Sequence, residues 1–123
     1  MQVGDVFSWE RSFTVEEIDD FSRLSGDAGT HHITPDTHGR LLVHGLLTAT
    51  LPTKIGGDLN FIARDLAFQF HRPVFAGDTI RCTVTILEQA EQERYTALSV
   101  GWVCRNQDDQ EVMTGQGHGV VRR

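Results

Sequence analysis

The 123-residue chain has only two cysteines and three prolines, and it contains neither a long apolar run nor an excess of basic residues. Cys82 and Cys104 fit neither a CxxC pair nor a zinc-finger spacing. We therefore expect buried free thiols in a reducing cytosol, with a disulfide as the alternative. No apolar stretch approaches the roughly eighteen residues of a membrane-spanning helix. The net charge of −6 argues against non-specific binding to nucleic acid or to an anionic membrane.

Signals for export, for a second domain and for a nucleotide are also lacking. The first residues, MQVGDVFSWERSF, have no basic segment followed by an apolar one, so we expect no secretory signal and a cytoplasmic protein. No repeat or flexible linker divides the chain, and its length suits one domain, which we place at residues 1–123. No glycine-rich phosphate loop is present, so no redox cofactor is implied.

The N-terminal part of the chain predicts a short helix with well-marked ends. In TVEE, Thr14 and Glu17 form the pattern of a capping box, and Gly26 can adopt the left-handed conformation that ends a helix. The following segment, DAGTHHITPDTHGR, is rich in turn-forming residues and predicts a loop beginning at Asp27. The predicted apolar stripe of the helix consists of Ile18, Phe21 and Leu24.

The middle of the chain predicts a buried helix. LLVHGLLTATLPTKIGG is the most apolar segment, and we expect its helix to start near His44 or Gly45 and to end at Gly56 and Gly57. Pro52 lacks a backbone donor, so it should kink or shorten this helix.

Alternating apolar residues after Leu59 predict a series of strands. The segments DLAFQFHRPV, TIRCTVTILEQ, RYTALSVGWVC and VMTGQGHGVVR are separated by short polar turns, so consecutive strands should be antiparallel neighbours. Phe68 and Phe70 are predicted to lie in the core. Apolar residues among the first thirteen suffice for a short edge strand. The whole pattern predicts an α+β domain whose antiparallel sheet curls around the central helix.

The order of four motifs resembles that of the MaoC-like (R)-specific enoyl-CoA hydratases, which also act as 3-hydroxyacyl-CoA dehydratases. These motifs are FSRLSGD, a histidine five residues after the aspartate, VHGLLTA and FHRPVFAGDTI, and the likeness covers about residues 14–121. The resemblance implies a hot-dog fold, a homodimer, no cofactor, and an acyl-CoA or acyl-carrier-protein thioester as substrate. Two features differ from the usual GDxNPxH pattern: the Asn and Pro are replaced, and the interval between His32 and His44 is shorter.

The resemblance assigns chemical roles to several residues. Asp27 and His32 would be the catalytic pair, a carboxylate and an imidazole that hold one water between them. Gly45 would form the oxyanion hole, because its N–H is free at the positive end of a helix dipole. The substrate-binding residues would be His44, Thr48 and Arg72, the arginine through a CoA phosphate.

Each of these assignments has a plainer alternative. Asp27 after a glycine is often a turn residue, and His32 in a polar loop is often a hydrogen-bonded surface histidine. Gly45 suits close packing at a helix start, and Arg72 suits a solvated strand end. Four of the six histidines lie between residues 31 and 44, yet their spacing matches no zinc motif, so we expect no metal.

Three functions remain open at this point. Reversible hydration of trans-2-enoyl thioesters to (R)-3-hydroxyacyl thioesters needs Asp27 and His32 together. A hot-dog thioesterase would need a carboxylate on the central helix, and residues 46–55 contain none. A non-catalytic acyl-thioester-binding module would bind without turnover, and the altered residues before His32 favour it.

Overall fold

The computed structural model describes residues 1–123 as four helices and five strands. The helices are α1 (Val15–Ser25), α2 (Thr30–Ile33), α3 (Gly45–Thr48) and α4 (Thr50–Asp58). The strands are β1 (Val6–Ser12), β2 (Phe61–Phe70), β3 (Thr79–Glu91), β4 (Tyr95–Arg105) and β5 (Glu111–Arg122). None of the helices has the length and hydropathy that crossing a bilayer requires.

The five strands form one antiparallel sheet in the order β1-β3-β4-β5-β2. The hairpins β3–β4 and β4–β5 confirm the prediction for those strands. The expectation that β2 and β3 are neighbours is wrong, because β2 pairs with β5 and β1 lies beside β3. Residues 71–78 do not form a tight turn. They leave the sheet and bond to the segment before α3, where the Val43 N–H donates to Val74 and the Ala76 N–H donates to Leu41.

Helix α1 has both of the predicted ends. The Glu17 N–H donates to the Thr14 hydroxyl and the Thr14 N–H donates to Glu17 Oε1, which completes the capping box. The Thr14 N–H and the Arg11 guanidinium hold the pKa of Glu17 below its ordinary value. The predicted apolar stripe is wrong at Leu24, which is 85% exposed. The buried face instead combines Ile18 with Ser22, a polar residue that no hydrophobic pattern selects.

The central helix is broken, as the proline predicted. It consists of α3 and α4 on either side of Ala49, because Pro52 has no N–H for the carbonyl four residues earlier. It ends at Asp58, just beyond the predicted glycines. Leu51 and Ile55 are buried and α4 packs against β1, β2 and β3, so the sheet curls around this helix.

Both cysteines are buried free thiols, on opposite residues of β3 and β4. The pKa of Cys82 is raised, mainly by its hydrogen bond with Cys104 and to a smaller extent by burial. A thiol held neutral in this way behaves as a small apolar side chain.

Glycines of β5 allow β2 and an indole ring to lie close to that strand. A Cβ at Gly115 would overlap the main-chain oxygen of Ala67 and would lie 2.6 Å from the indole of Trp102. A Cβ at Gly117 would lie 2.8 Å from the side chain of Leu66. The close packing of β5 against β2 and Trp102 therefore depends on glycine at these two residues.

Gly115→Ala should lower the free energy of unfolding by about 1–3 kcal/mol, because main chain must move to admit the methyl group. Gly57→Ala is the matched control, since nothing lies within 4 Å of a Cβ there. Alanine at that helical position should raise stability by about 0.5–1 kcal/mol. Urea unfolding of the three proteins measures both effects, and equal midpoints would contradict the close packing described for Gly115.

Candidate active site

Asp27 lies directly after the left-handed residue that ends α1, where Gly26 has φ 82°. Asp27 Oδ1 accepts the N–H of Gly29 at 3.2 Å, so the plainer turn interpretation is correct for this oxygen. Asp27 Oδ2 accepts no hydrogen bond and faces His32, and the side chain is 57% exposed. One carboxylate oxygen thus holds the turn while the other remains available for chemistry.

His32 lies on the short helix α2 and not in a loop, which corrects the prediction for this segment. Its ring is buried, and Nδ1 lies 2.7 Å from the carbonyl oxygen of Leu42. A carbonyl only accepts, so Nδ1 carries the proton of the neutral ring and Nε2 has the lone pair. Nε2 is 3.8 Å from Asp27 Oδ2, too long for a direct hydrogen bond but short enough for one water to contact both atoms.

His44 lies behind this pair. It is only 2% exposed, and Nε2 is 2.9 Å from the main-chain oxygen of Asp27 and 3.1 Å from Ser22 Oγ. Its ring stacks on His32 with centroids 3.7 Å apart. The prediction that His44 contacts substrate does not fit this burial. Its N–H instead anchors the main chain that carries the carboxylate.

Asp27, His32 and His44 place possible ligand atoms within 4.8 Å of one another. The rings of His32 and His44 are nearly parallel, with an angle of 16° between their planes. Imidazole lone pairs lie in the ring plane, so those of two stacked rings do not converge on one ion. The two imidazoles therefore do not direct their lone pairs at one point between them.

Gly45 begins α3 immediately after His44, and its N–H has no acceptor in the protein. The residue as a whole is exposed. A Cβ here would lie 2.9 Å from the ring of Phe70, so close packing also favours glycine. Close packing and a role as a hydrogen-bond donor are compatible for this glycine. The absence of a side chain makes room for the phenyl ring, and the N–H has no acceptor in the protein.

A cleft of about 290 Å³ lies beside Gly45 and includes Thr48, Phe70 and Arg72 among its lining residues. Thr48 is buried at its base. Arg72 is exposed at the surface, where Nη1 donates to the carbonyl oxygen of Glu111 at 2.7 Å. Phe70 is 53% exposed, so the prediction that it belongs to the core is wrong, whereas Phe68 is half-buried against the core.

A separate, apolar cavity lies farther along β2. This cavity, about 110 Å³, lies between α4 and the sheet. Its lining residues include Pro52, Thr53, Leu66, Phe68 and Trp102. Phe68 lines this cavity and Phe70 lines the cleft, and their ring centroids are 6.2 Å apart.

Sequence patterns did not identify Ser22 and Leu42 as parts of the site. Ser22 occupies a buried position of α1, and Leu42 acts through its main-chain oxygen. The available signal for Ser22 was its spacing of four residues after Ile18, which places both on one face of α1. Every residue has a main-chain carbonyl, so the sequence could not identify the role of Leu42.

A family model described as "FAS1-like, dehydratase domain region" matches residues 30–115. The chain belongs to this dehydratase family. Its matched segment includes His32, His44, Gly45 and Arg72, while Asp27 lies just before it. No curated protein matches the sequence.

Solved structures agree with this membership and confirm the hot-dog fold. An (R)-hydratase from A. caviae involved in PHA biosynthesis is 25% identical, with a TM-score of 0.86 over 98% of this chain and 96% of that one. The R-hydratase PhaJ1 from Pseudomonas aeruginosa is 19% identical, with a TM-score of 0.86 over 99% and 82%. A MaoC-like dehydratase from Rhodospirillum rubrum is 17% identical, with a TM-score of 0.75 over 100% and 94%. This dehydratase-family chain therefore has the MaoC-like architecture that its motifs predicted.

His44→Phe should destabilise the protein by about 1–3 kcal/mol, because it leaves the Asp27 carbonyl without its donor while keeping a ring to stack on His32. Chemical denaturation measures the loss. His38→Phe is the control, since His38 is exposed and its ring has no hydrogen bond. Equal losses in the two variants would show that the hydrogen bond of His44 does not hold the site together.

Proposed function

We propose that the chain catalyses the reversible hydration of trans-2-enoyl-CoA thioesters to (R)-3-hydroxyacyl-CoA thioesters. The observation that carries the proposal is the pair of free acceptors, Asp27 Oδ2 and His32 Nε2, which lie 3.8 Å apart. Membership of a dehydratase family and the likeness to (R)-hydratases support it. An acyl-carrier-protein thioester would present the same reacting group.

The two acceptors can orient one water. Asp27 and His32 each accept one hydrogen of the water. A lone pair of the water oxygen is then directed away from the two residues and toward the ligand. As that oxygen bonds to the β-carbon, one water O–H bond breaks and its proton moves to Asp27 or His32. The electron pair of the C=C bond shifts to the bond between the α-carbon and the thioester carbon, and the C=O pair moves onto the thioester oxygen. The same proton then reaches the α-carbon, and the net change is addition of one water.

The negative charge that forms on the thioester oxygen needs a donor. The Gly45 N–H has no acceptor in the protein, and Gly45 directly follows His44, the residue that stacks against His32. A donor fixed in position before the reaction stabilises the developing charge without reorganisation. Thr48 lies in the same cleft, so its hydroxyl can help to orient the thioester. Arg72 at the surface is suited to a CoA phosphate, because it retains donors beyond the one given to Glu111.

Asp27→Asn and His32→Asn should each reduce turnover at least about 100-fold, because each removes one of the two groups that handle the water proton. Asparagine at residue 32 can still donate to the Leu42 carbonyl, whereas alanine there would also remove that buried bond. Loss of the conjugated thioester absorbance of trans-2-enoyl-CoAs measures the rate. Asp20→Asn and His38→Asn, both at exposed residues, are the matched controls and should keep full activity.

The same reactions should be tested for free CoA thiol. Loss of conjugation without thiol release supports hydration. Thiol release would indicate a thioesterase, for which residues 46–55 of the helical segment offer no carboxylate. Binding of thioesters of every chain length without turnover would indicate an acyl-thioester-binding module.

A second copy of the chain is the proposed partner. Strand β2 is an edge of the sheet, and apolar side chains along it are exposed, including Leu66 at 50% and Phe70 at 53%. An edge strand with this composition favours pairing with another chain. The cleft beside Gly45 opens next to the same strand, so pairing through β2 would bring the partner close to the site.

Leu66→Glu should increase the fraction of monomer, because it places a charge on the apolar edge. Val6→Glu is the matched control, since Val6 is 56% exposed on β1 at the opposite edge. Sedimentation velocity over a range of concentrations measures the dimer fraction. A wild-type chain that stays monomeric, or equal effects of both variants, would contradict pairing through β2.

A further inference from the structure

His31, the residue before His32 on α2, packs its ring against the imidazole of that residue. The two rings are tilted by 57° and their centroids are 4.0 Å apart. The His44 ring stacks on His32 at 3.7 Å, so the proposed base contacts two other imidazoles. His31 is exposed, whereas His32 is only 5% exposed. The side chain of His31 therefore covers part of the His32 ring at the protein surface.

Gly29 leaves the space that the His31 ring occupies. A Cβ at Gly29 would lie 2.9 Å from Cε1 and 3.4 Å from Nδ1 of His31, and 3.4 Å from Asp27 Oδ1. The first of these distances is too short for a Cβ contact, so a side chain at Gly29 would displace the ring. The main chain of Gly29 has φ −56° and ψ 146°, which other residues also adopt. Glycine is therefore needed here for space and not for its conformation.

We infer that His31 is a positioning residue for the hydration reaction: its ring holds the His32 imidazole in the orientation that presents Nε2 to the water, and Gly29 makes room for it. The inference rests on the proposed function, because it takes His32 as a group that handles the water proton. The bond from Nδ1 to the Leu42 carbonyl fixes only one atom of the ring, so contacts with the ring decide its remaining tilt. His44 supplies one such contact and His31 supplies another. An aromatic contact changes an equilibrium between two orientations by about two- to tenfold.

His31→Ala should lower kcat by about two- to tenfold with little change in KM, because a misoriented base slows proton transfer but leaves contacts to the thioester in place. His31→Phe keeps an aromatic ring without an ionisable group and should retain most of the wild-type kcat. His38→Ala, at an exposed histidine that follows α2, is the matched control. An unchanged kcat in His31→Ala would overturn the inference. A His31→Phe variant as slow as His31→Ala would also overturn it, because the proton chemistry of His31 and not its packing would then matter.

Gly29→Ala moves the same ring without altering it. In the wild-type chain the new methyl group should displace His31 and lower kcat by a similar factor. In a chain that already carries His31→Ala it should cause no further loss, because the ring it would displace is absent. Additive losses would overturn the pairing of Gly29 with His31 and point to Asp27, whose Oδ1 is the other atom near the methyl group. Gly57→Ala, with nothing within 4 Å of its Cβ, is the matched control.

A readout besides activity separates this inference from the proposed function. The Nδ1–H of His32, bonded to the Leu42 carbonyl, gives a proton–nitrogen NMR signal when its exchange with water is slow, and His32→Asn identifies that signal. The exchange should be faster in His31→Ala than in the wild type and unchanged in His31→Phe. This pattern without turnover of any enoyl thioester would support the hold of His31 on the ring and overturn the hydratase. Turnover with equal exchange rates in all three proteins would leave hydration standing and overturn the inference.

Discussion

One buried imidazole, that of His44, connects the three segments that carry the candidate catalytic groups. Its Nε2–H bonds to the main chain of Asp27, its ring stacks on His32, and the next residue along the chain is Gly45. Ser22 brings α1 to the same nitrogen. Because the group is buried and bonded, the carboxylate, the imidazole and the open N–H are held in one arrangement before any ligand arrives. That preorganisation is what general acid–base and electrostatic catalysis require.

A second feature of the site is that Asp27 and His32 each use one polar atom for a structural hydrogen bond and leave the other free. Asp27 uses one oxygen for the turn and leaves the other free, and His32 uses Nδ1 for a carbonyl and leaves Nε2 free. A turn residue and a catalytic residue were alternatives on the sequence alone. The geometry makes them compatible, because a carboxylate and an imidazole each have two polar atoms. The structural bond fixes the orientation in which the second atom is presented.

Local signals predicted those parts of the fold that depend on neighbouring residues. Thr14, Glu17 and Gly26 marked the ends of α1, and Pro52 marked the break in the central helix, because capping and a missing donor act within one turn. The pairing of β2 with β5 was not predictable in this way. It depends on residues 71–78 crossing the fold and bonding to the segment before α3. Motif order selected Asp27, His32 and Gly45 as candidates, but the burial of His44 became clear only from its packing against α1.

The replacement of the usual Asn and Pro before the histidine bears on whether the pair is competent. In this chain the same interval forms α2, whose first turn is closed by the Gly29 carbonyl accepting the His32 N–H at 2.9 Å. The helix places the His32 ring against the Leu42 carbonyl and the face of His44. Orientation of the imidazole is thus secured by contacts that need neither the Asn nor the Pro. The sequence difference changes how the loop is built, while the two free acceptors still face each other.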